Sequence, residues 1–409
     1  MSDPVVRTRE PTDPGTPPTP EDRAQRRDRI RGAVRYCLGV FLGVRVGLAV
    51  LAVVAVAVLP ALEVVGAPGW PPPPSEPGWQ NLVTAWERFD GLWFLRVATG
   101  GYVDGDGSAA FFPLFPLLIR ILSPLLGGHP LAAALLISHA AFFGALVIFY
   151  LLTESEYDEA TARRAVLYLA LFPTAFFFVA PYSESLFLLL AVSSLAAARR
   201  GRWAVAGVSG ALASATRSVG VLLPLPLAVE AIHRWRARRG SLLGPLLWSA
   251  VAALGTVLYL FFWWGKSGDW LAPLHQQDTW QRAPKLPWET IASGTREAFR
   301  WPGVYPGGYH LLDWLVVVPA LAAAAWIALR VRPAFSVYTW ASLLAPLALV
   351  FPGRPFMSLP RFLLTIFPLF WAPAILAHGR RWVHESVVAV FAAGLGVMTV
   401  LFVDWYYVF

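Results

Sequence analysis

Long apolar runs, separated by short stretches rich in arginine, occupy the chain from Val34 to its last residues. A helix needs about 20 consecutive, mainly apolar residues to cross the hydrocarbon core of a membrane. The runs predict about eleven transmembrane helices, several of them short. Their approximate limits are 34–60, 131–152, 163–180, 184–198, 203–217, 219–232, 244–264, 312–330, 335–352, 362–378 and 386–404.

The basic residues between these runs predict how the chain is oriented, because cytoplasmic connections of membrane proteins are enriched in Lys and Arg. With the N-terminal tail inside, the cytoplasmic connections are 153–162, 198–202, 233–240, 330–332 and 378–381, and arginines lie next to these ends. The opposite, outer face then receives two long loops, about 61–130 and 265–311, and several short turns. Every unusual motif of the chain falls on this outer face.

The stretch "FFPLFPLLIRILSPLL" (111–126) is apolar enough to be counted as a further crossing. It contains three prolines and Arg120, and a crossing here would reverse the orientation of every later arginine cluster. We therefore expect a re-entrant or interfacial helix within the first outer loop.

The composition agrees with a polytopic membrane protein and leaves little material for a soluble core. Of the 409 residues, 57% are hydrophobic and 14% are charged, and the mean hydropathy is +0.56. These values lie far from those of soluble domains. We expect residues 1–32, rich in Pro, Asp and Arg, to form a disordered cytoplasmic tail and residues 33–409 to form one transmembrane domain. The tail is too long and too polar to be a cleavable signal peptide.

Charge and cysteine content exclude several other classes. The net charge of +8 comes from arginines that flank the predicted spans, so it does not indicate a nucleic-acid partner. Cys37 is the single cysteine, which excludes an intrachain disulfide and a cysteine metal site. The segment "VDGDG" (103–107) lacks the twelve-residue pattern of a calcium loop. The sequence therefore predicts no metal site and no cofactor.

A carboxylate stands among aromatic residues in "FDGLWFLRVATGGY" (89–102). On a helical wheel, Trp86 and Trp93 fall on one stripe about 40° wide, and Asp90 projects into that stripe. An interfacial helix would turn a solvated carboxylate away from its aromatic face, so Asp90 requires a polar partner there. We favour a functional carboxylate.

Two further polar positions lie on the outer face. Glu184 follows Tyr182 in "PYSE", where two predicted spans meet; it could stabilise the start of a helix, with Ser183 as its cap, or face a cavity together with Tyr182. Arg217 interrupts a run otherwise long enough to cross the membrane, so it would lie at the apex of two half-length helices. An intramembrane arginine is a candidate anion-binding residue, although a structural ion pair with Glu184 is the alternative.

The remaining candidates give weaker signals. Arg361 opens a span in "SLPRFLL" and could equally be an interface anchor. His139 lies within a span, where hydrogen bonding between helices is the expected role. Pairing of Asp90 with Arg88 or Arg96 is the structural alternative to a functional carboxylate.

Five blocks of the sequence, in this order along the chain, resemble the PIG-V-like GPI mannosyltransferase family, within the wider GT-C group of membrane glycosyltransferases. The blocks are "RFDGLWFLRVATGGY", "AFFPLFPLLIRIL", "FPTAFFFVAPYSESLFLLL", "ATRSVG" and "LPRFLLTIFPLF". They cover most of residues 85–230 and a patch near residue 360. In this family the acidic residue of the first outer loop follows Trp, whereas here it follows Phe89.

The resemblance implies an all-α fold of the GT-C type and transfer of a sugar, most simply mannose, from a polyprenyl-phosphate donor on the non-cytoplasmic face of the cell membrane. It places the catalytic carboxylate at Asp90. The donor-binding residues are expected among Arg217, Arg361, Glu184, Tyr182, Arg88, Arg96, Tyr102 and His139. Arginine outnumbers lysine 31 to 2, a style typical of high-GC actinobacteria. Bacteria are not expected to make GPI, so a different glycolipid or cell-envelope acceptor is expected.

The expected reaction is a single inverting displacement, with Asp90 as general base and polyprenyl phosphate as leaving group. Arg217 and Arg361 would supply positive charge for the phosphate. A transporter or flippase of a lipid-linked sugar would also need intramembrane arginines and broken helices, and an inactive scaffold would keep the same motifs. The lack of an internal repeat and the gathering of special residues on one face favour the enzyme.

Reporter fusions test the predicted topology. A fusion at Gly268, in the second long loop, should report an outer location, and a fusion at Arg239 a cytoplasmic one, because the arginine clusters stay inside. Alkaline phosphatase and green fluorescent protein, active on opposite sides of the membrane, give the readout. A cytoplasmic signal at Gly268 would contradict both the span count and the side assigned to the site.

Overall fold

Helices carry nearly all of the regular structure in the computed structural model of this chain. The structure describes residues 20–59, 64–73, 78–238, 240–300 and 308–407. Within these ranges the paired strands are β1 (Ala283–Pro284) and β2 (Leu349–Val350), which run antiparallel with Ala283 opposite Val350. The predicted all-α class is confirmed.

Helices of very different length follow one another along the chain. They are α1 (Pro20–Val58), α2 (Asn81–Thr84), α3 (Asp90–Gly100), α4 (Leu114–Leu122), α5 (Pro130–Glu156), α6 (Glu159–Leu171), α7 (Glu184–Arg199), α8 (Trp203–Ser214), α9 (Pro224–Arg236), α10 (Leu243–Val251), α11 (Leu254–Ser267), α12 (Ala272–His275), α13 (Pro287–Arg300), α14 (Gly308–Arg330), α15 (Pro333–Ala348), α16 (Leu359–Leu363), α17 (Trp371–Leu376) and α18 (Arg381–Val403). Short 3₁₀ turns, such as Ser218–Leu222, connect several of them.

Four of the described helices, α1, α5, α14 and α18, are long and apolar enough to cross a membrane. The pair α10 and α11 gives a fifth candidate if it is one span bent by 42°. The chain is therefore a multi-pass membrane protein. The other predicted spans correspond to shorter or broken helices, so the count of about eleven stays a prediction.

The helix α1 begins inside the stretch that was expected to be disordered. Residues 21–32 are exposed but helical, so the predicted disorder is wrong for residues 20–32. Arg, Ala, Gln and Glu are good helix formers, and Glu21 and Asp22 in the first turn complement the helix dipole. Residues 1–19 of the predicted tail lie outside the described residues.

The surface of α1 suits a lipid environment. Large aliphatic residues at every fourth position, from Leu38 to Val58, are 42% to 71% exposed. The buried face carries small residues, which allow close packing of helices in a membrane; they are Ala33, Cys37, Ala52 and Ala55.

The apolar stretch of the first outer loop forms α4 followed by a 3₁₀ turn. Nine α-helical residues span about 14 Å, less than half of the hydrocarbon thickness. Phe115 and Ile119 are buried, whereas Leu117 and Ile121 on the other face are exposed. This geometry fits the expected interfacial or re-entrant helix.

Helix α7 lies at the centre of the fold, between α5 and α8, with most of its side chains buried. Its first residue is Glu184. The starts of α3 and α7, the break between α8 and α9, and the short α16 converge at the same end of the helix bundle. This convergence forms the candidate site.

Gly255 of α11 lies directly against α8. A Cβ at this position would overlap the carbonyl oxygen of Ala211 and come within 2.5 Å of the amide nitrogen of Ala215. Gly255→Ala should therefore cost about 1–3 kcal/mol through overpacking, seen as a lower midpoint of thermal unfolding in detergent. Gly265→Ala, on the same helix with nothing within 4 Å, should leave the midpoint unchanged. Equal midpoints for the two variants would contradict this packing.

Candidate active site

Four polar residues from four separate motifs meet at one end of the helix bundle. Asp90 is the first residue of α3, and Glu184 is the first residue of α7. Arg217 precedes the 3₁₀ turn Ser218–Leu222, and Arg361 lies in α16. The motifs are far apart in sequence, but the fold places their side chains in direct contact.

A continuous chain of ion pairs joins the four residues. Glu184 is fully buried, and its Oε1 accepts hydrogen bonds from both Arg217 and Arg361. Arg361 also donates through Nη1 to Oδ2 of Asp90, at 2.5 Å. Burying any one of these charges without its partners would cost several kcal/mol, so they are stable in this place only as a connected set.

Aromatic rings cover the faces of both guanidinium groups. The Arg361 guanidinium lies 4.6 Å from the Tyr182 ring centre and 5.1 Å from that of Phe177. The Arg217 guanidinium lies 5.0 Å from the Phe362 ring centre. Cation–π contacts of this kind favour the charged form and limit the orientations of the side chain.

The backbone immediately before Asp90 is strained. Phe89 has φ 49° and ψ −119°, a combination that residues with a Cβ rarely adopt. Its ring is held against Trp405 and Tyr407, with ring centres 5.5 and 5.3 Å away. The surrounding packing therefore fixes a conformation that turns the next residue, Asp90, toward Arg361.

A cavity of about 580 Å³ opens beside the ion pairs. Asp90, Arg217 and Arg361 line it directly, whereas Glu184 and Tyr182 lie behind them. Its wall is completed by residues of both long loops and of the C-terminal part, among them Phe94, Phe111, Phe112, Trp280, Arg282, Tyr309, Arg354 and Tyr407. The Asp90 side chain is 24% exposed and the Glu184 side chain 0%. Of these two carboxylates, therefore, only Asp90 is accessible to a substrate.

Asp90 lines the cavity together with Phe94, but the helix is shorter than the one assumed for the helical wheel. Helix α3 begins at Asp90, so Trp86 precedes it and is not part of an aromatic stripe on that helix. Ser183 occupies the N-cap position of α7 without a side-chain cap bond. Its Oγ lies 3.4 Å from Nη1 of Arg217 instead.

The structure places Arg88, a predicted binding residue, outside the cavity lining. Arg88 is 1% exposed and donates to the backbone oxygens of Thr84, Glu87 and Val403. Its guanidinium lies over the Trp405 ring. The carbonyl oxygen of Arg88 accepts a hydrogen bond from the Tyr182 hydroxyl at 3.0 Å. Arg88 therefore helps to position the Tyr182 ring, which packs against Arg361.

Arg96, another predicted binding residue, also lies outside the cavity lining. It forms an ion pair with Asp106 and stacks on Trp93. Burial works to raise the pKa of Asp106, but hydrogen bonds from Ser108 and the Arg96 guanidinium outweigh burial and hold the pKa below its usual value. The pair joins the C-terminal part of α3 to the loop that follows it.

Two further predicted binding residues, Tyr102 and His139, likewise do not line the cavity. The Tyr102 hydroxyl donates to the carbonyl oxygen of Phe111 at 2.6 Å. Nδ1 of His139 lies 2.7 Å from the carbonyl oxygen of Leu135, one turn earlier on α5. Both side chains bond to backbone groups.

The sequence missed two arginines of the cavity wall, Arg282 and Arg354. Arg354 makes a bidentate ion pair with the fully buried Asp313, at 2.6 and 2.8 Å, and donates to the carbonyl oxygen of Tyr407. Its place in the turn "FPGRPF" was the available signal. Arg282 lies in an irregular loop, where no periodicity indicates which side chains point inward.

The fold and the site define an all-α, multi-pass membrane protein with an arginine-rich cavity at one end of its helices. Residues 73–235 match the family described as Mannosyltransferase (PIG-V). This stretch holds four of the five motifs and three of the four site residues. The predicted resemblance to this family is confirmed over this stretch.

Curated relatives match the same part of the chain. GPI alpha-1,6-mannosyltransferase 2 of Mus musculus is 31% identical over 153 residues, which are 35% of this chain and 31% of that protein. The Homo sapiens protein of the same name is 32% identical over 155 residues, with the same shares. The chain thus matches less than a third of the length of these relatives.

Solved structures are similar at lower identity. ArnT from Cupriavidus metallidurans bound to undecaprenyl phosphate has a TM-score of 0.47 and 14% identity, with 91% of this chain and 76% of that chain covered. The oligosaccharyltransferase AglB from Archaeoglobus fulgidus, in complex with an inhibitory peptide and a dolichol-phosphate, has a TM-score of 0.40 and 12% identity, with shares of 90% and 56%.

Glu184→Gln tests whether this carboxylate holds the site together. The variant keeps the side-chain size but leaves Arg217 and Arg361 without their shared buried counter-charge, so we expect a loss of about 3–5 kcal/mol in unfolding free energy. Denaturant unfolding in detergent measures it. Glu159→Gln removes an exposed ion pair with Arg163 and should change stability by less than about 1 kcal/mol. A loss for Glu184→Gln no larger than for the control would contradict the assigned role.

Proposed function

We propose that the protein is an inverting membrane glycosyltransferase of the GT-C group. It transfers a sugar, mannose by its relatives' names, from a polyprenyl-phosphate donor to a hydroxyl of a lipid-linked or cell-envelope acceptor. One observation carries the proposal: Asp90 is the single carboxylate, among the residues that the structure describes, in the wall of a cavity whose other charged groups are basic.

The reaction is a direct displacement at the anomeric carbon. Asp90 accepts the proton of the acceptor hydroxyl, and that oxygen forms a bond to the anomeric carbon. The bond from this carbon to the phosphate oxygen breaks, and the phosphate leaves with the electron pair. The leaving phosphate needs no proton from a second acid, since the site can stabilise its charge.

The charge of the cavity suits such a leaving group. Four arginines, Arg217, Arg282, Arg354 and Arg361, line it, and three carboxylates, those of Asp90, Glu184 and Asp313, oppose them. One positive charge remains, equal and opposite to that of a phosphodiester donor. When Asp90 takes the proton, the site gains one positive charge, and the leaving phosphate, now a dianion, gains one negative charge. The charges of site and leaving group therefore balance again, which stabilises the charge that develops in the transition state.

An apolar cavity of about 650 Å³ between α14, α17 and α18 supports a lipid-linked donor. Its wall includes Leu312 and Leu363, whereas Tyr309 and Phe362, on the same two short segments, line the arginine-rich cavity. Residues of α14 and α16 thus contribute to the walls of both cavities. A polyprenyl chain in the apolar cavity would place its phosphate next to the arginines without exposure to water.

The opposite end of the bundle supports a non-cytoplasmic site in the cell membrane. There Glu156 pairs with Arg199 and Arg332, and Arg199 also pairs with Glu230. These arginines belong to connections that the positive-inside rule assigns to the cytoplasm. The cavity, at the other end, would then face outward.

Asp90→Asn tests the general base. Asparagine keeps the size and much of the hydrogen bonding but cannot accept the proton, so transfer from polyprenyl-phosphate mannose should fall by about 10²- to 10⁴-fold. Binding of the donor should survive. The assay follows labelled mannose into a lipid extract, and the labelled fraction identifies the acceptor. Asp278→Asn, an exposed position of the second outer loop, is the matched control and should retain activity.

Two results would contradict the proposal. An Asp90→Asn enzyme with a rate near that of the wild type would show that Asp90 is not the general base. Transfer from a nucleotide-linked mannose while polyprenyl-phosphate synthesis is blocked would show that the donor is not lipid-linked.

A further inference from the structure

Arg282 differs from the other arginines of the cavity in its partners. Arg217 and Arg361 contact Glu184, Arg361 also contacts Asp90, and Arg354 contacts Asp313. Arg282 takes part in no ion pair with a described residue; its Nη2 donates to Oγ of Ser358 at 2.9 Å. The single uncompensated positive charge of the cavity therefore lies on the Arg282 side chain.

The fold holds this arginine in place. Arg282 directly precedes β1, whose pairing with β2 ties the second outer loop to the chain before α16. The amide of Lys285 also donates to the carbonyl oxygen of Ala348, at 3.0 Å. Ser358, which accepts the Arg282 hydrogen bond, has φ 67°, a strained value for a residue with a Cβ. A surface arginine would need none of these constraints.

The loop before Arg282 is fixed to the first outer loop as well. Nε1 of Trp280 donates to the carbonyl oxygen of Gly107 at 3.1 Å, and its ring packs against Trp93 and Phe111. Burial lowers the pKa of Arg282 and the nearby Arg361 charge adds to this, whereas Tyr407 and Asp90 offset it only in part, so the charge of Arg282 beside the cavity carries a cost. An anionic ligand would remove this cost.

We propose that Arg282 forms a phosphate-binding subsite of the cavity. The proposal rests on the proposed function in taking the ligand to be a substrate phosphate. That phosphate belongs either to the polyprenyl-phosphate donor or to a phosphate-bearing lipid acceptor, and both would use the same planar guanidinium donors.

Binding measurements on the purified full chain in detergent test the subsite without requiring turnover. Isothermal titration with farnesyl phosphate represents the donor phosphate, and titration with phosphatidylglycerol represents an anionic lipid acceptor; farnesol is the neutral reference. Arg282→Ala should weaken binding of at least one phosphate probe by about 10-fold or more. Arg282→Lys keeps the charge but loses the planar guanidinium group, so its affinity should lie between those of the wild type and Arg282→Ala. Arg296→Ala, an exposed arginine of α13, is the matched control.

The affected probe identifies the source of the phosphate. A loss confined to farnesyl phosphate assigns the subsite to the donor, and a loss confined to phosphatidylglycerol assigns it to the acceptor. Unchanged binding of both probes in Arg282→Ala, or no saturable binding to the wild type, would overturn the subsite. If phosphate binding depends on Arg282 but no sugar is transferred, the proposed function fails and the subsite stands.

Discussion

The carboxylate of Glu184, buried at the start of the central helix α7, is the constraint on which the site depends. Two arginines converge on its Oε1, one from the break between α8 and α9 and one from α16. Neither could be buried alone, because an unpaired guanidinium in this environment would cost several kcal/mol. Three segments distant in sequence must therefore meet before any of them is stable in place.

This constraint explains how an accessible carboxylate can lie at one end of a membrane domain. Arg361 is shared between Glu184 and Asp90, so its charge is largely compensated before a substrate arrives. Asp90 is oriented by the arginine but remains accessible from the cavity. The strained Phe89 backbone and its aromatic contacts fix the start of α3, which keeps the carboxylate in position.

The sequence was sufficient where a polar residue interrupts an apolar pattern. Asp90, Glu184, Arg217 and Arg361 each break such a pattern, because burial of a charge in an apolar run needs a reason. It was insufficient where contacts cannot be derived from periodicity: Arg88, Arg96 and Tyr102 belong to the same motif as Asp90 but bond to backbone or loop groups. Arg282 was missed because an irregular loop has no period that separates inward from outward positions. The helical start of α1 was missed because the prediction relied on its polar composition and not on its helix propensity.

The anomeric configuration of the transferred sugar tests the central claim most directly. A cavity wall with Asp90 as its single described carboxylate supports one displacement, whereas retention through a covalent intermediate requires a second carboxylate as nucleophile. Nuclear magnetic resonance of the product, formed from a polyprenyl-phosphate sugar of known anomeric form, gives the answer. The account predicts the configuration opposite to that of the donor. The same configuration in product and donor would contradict it.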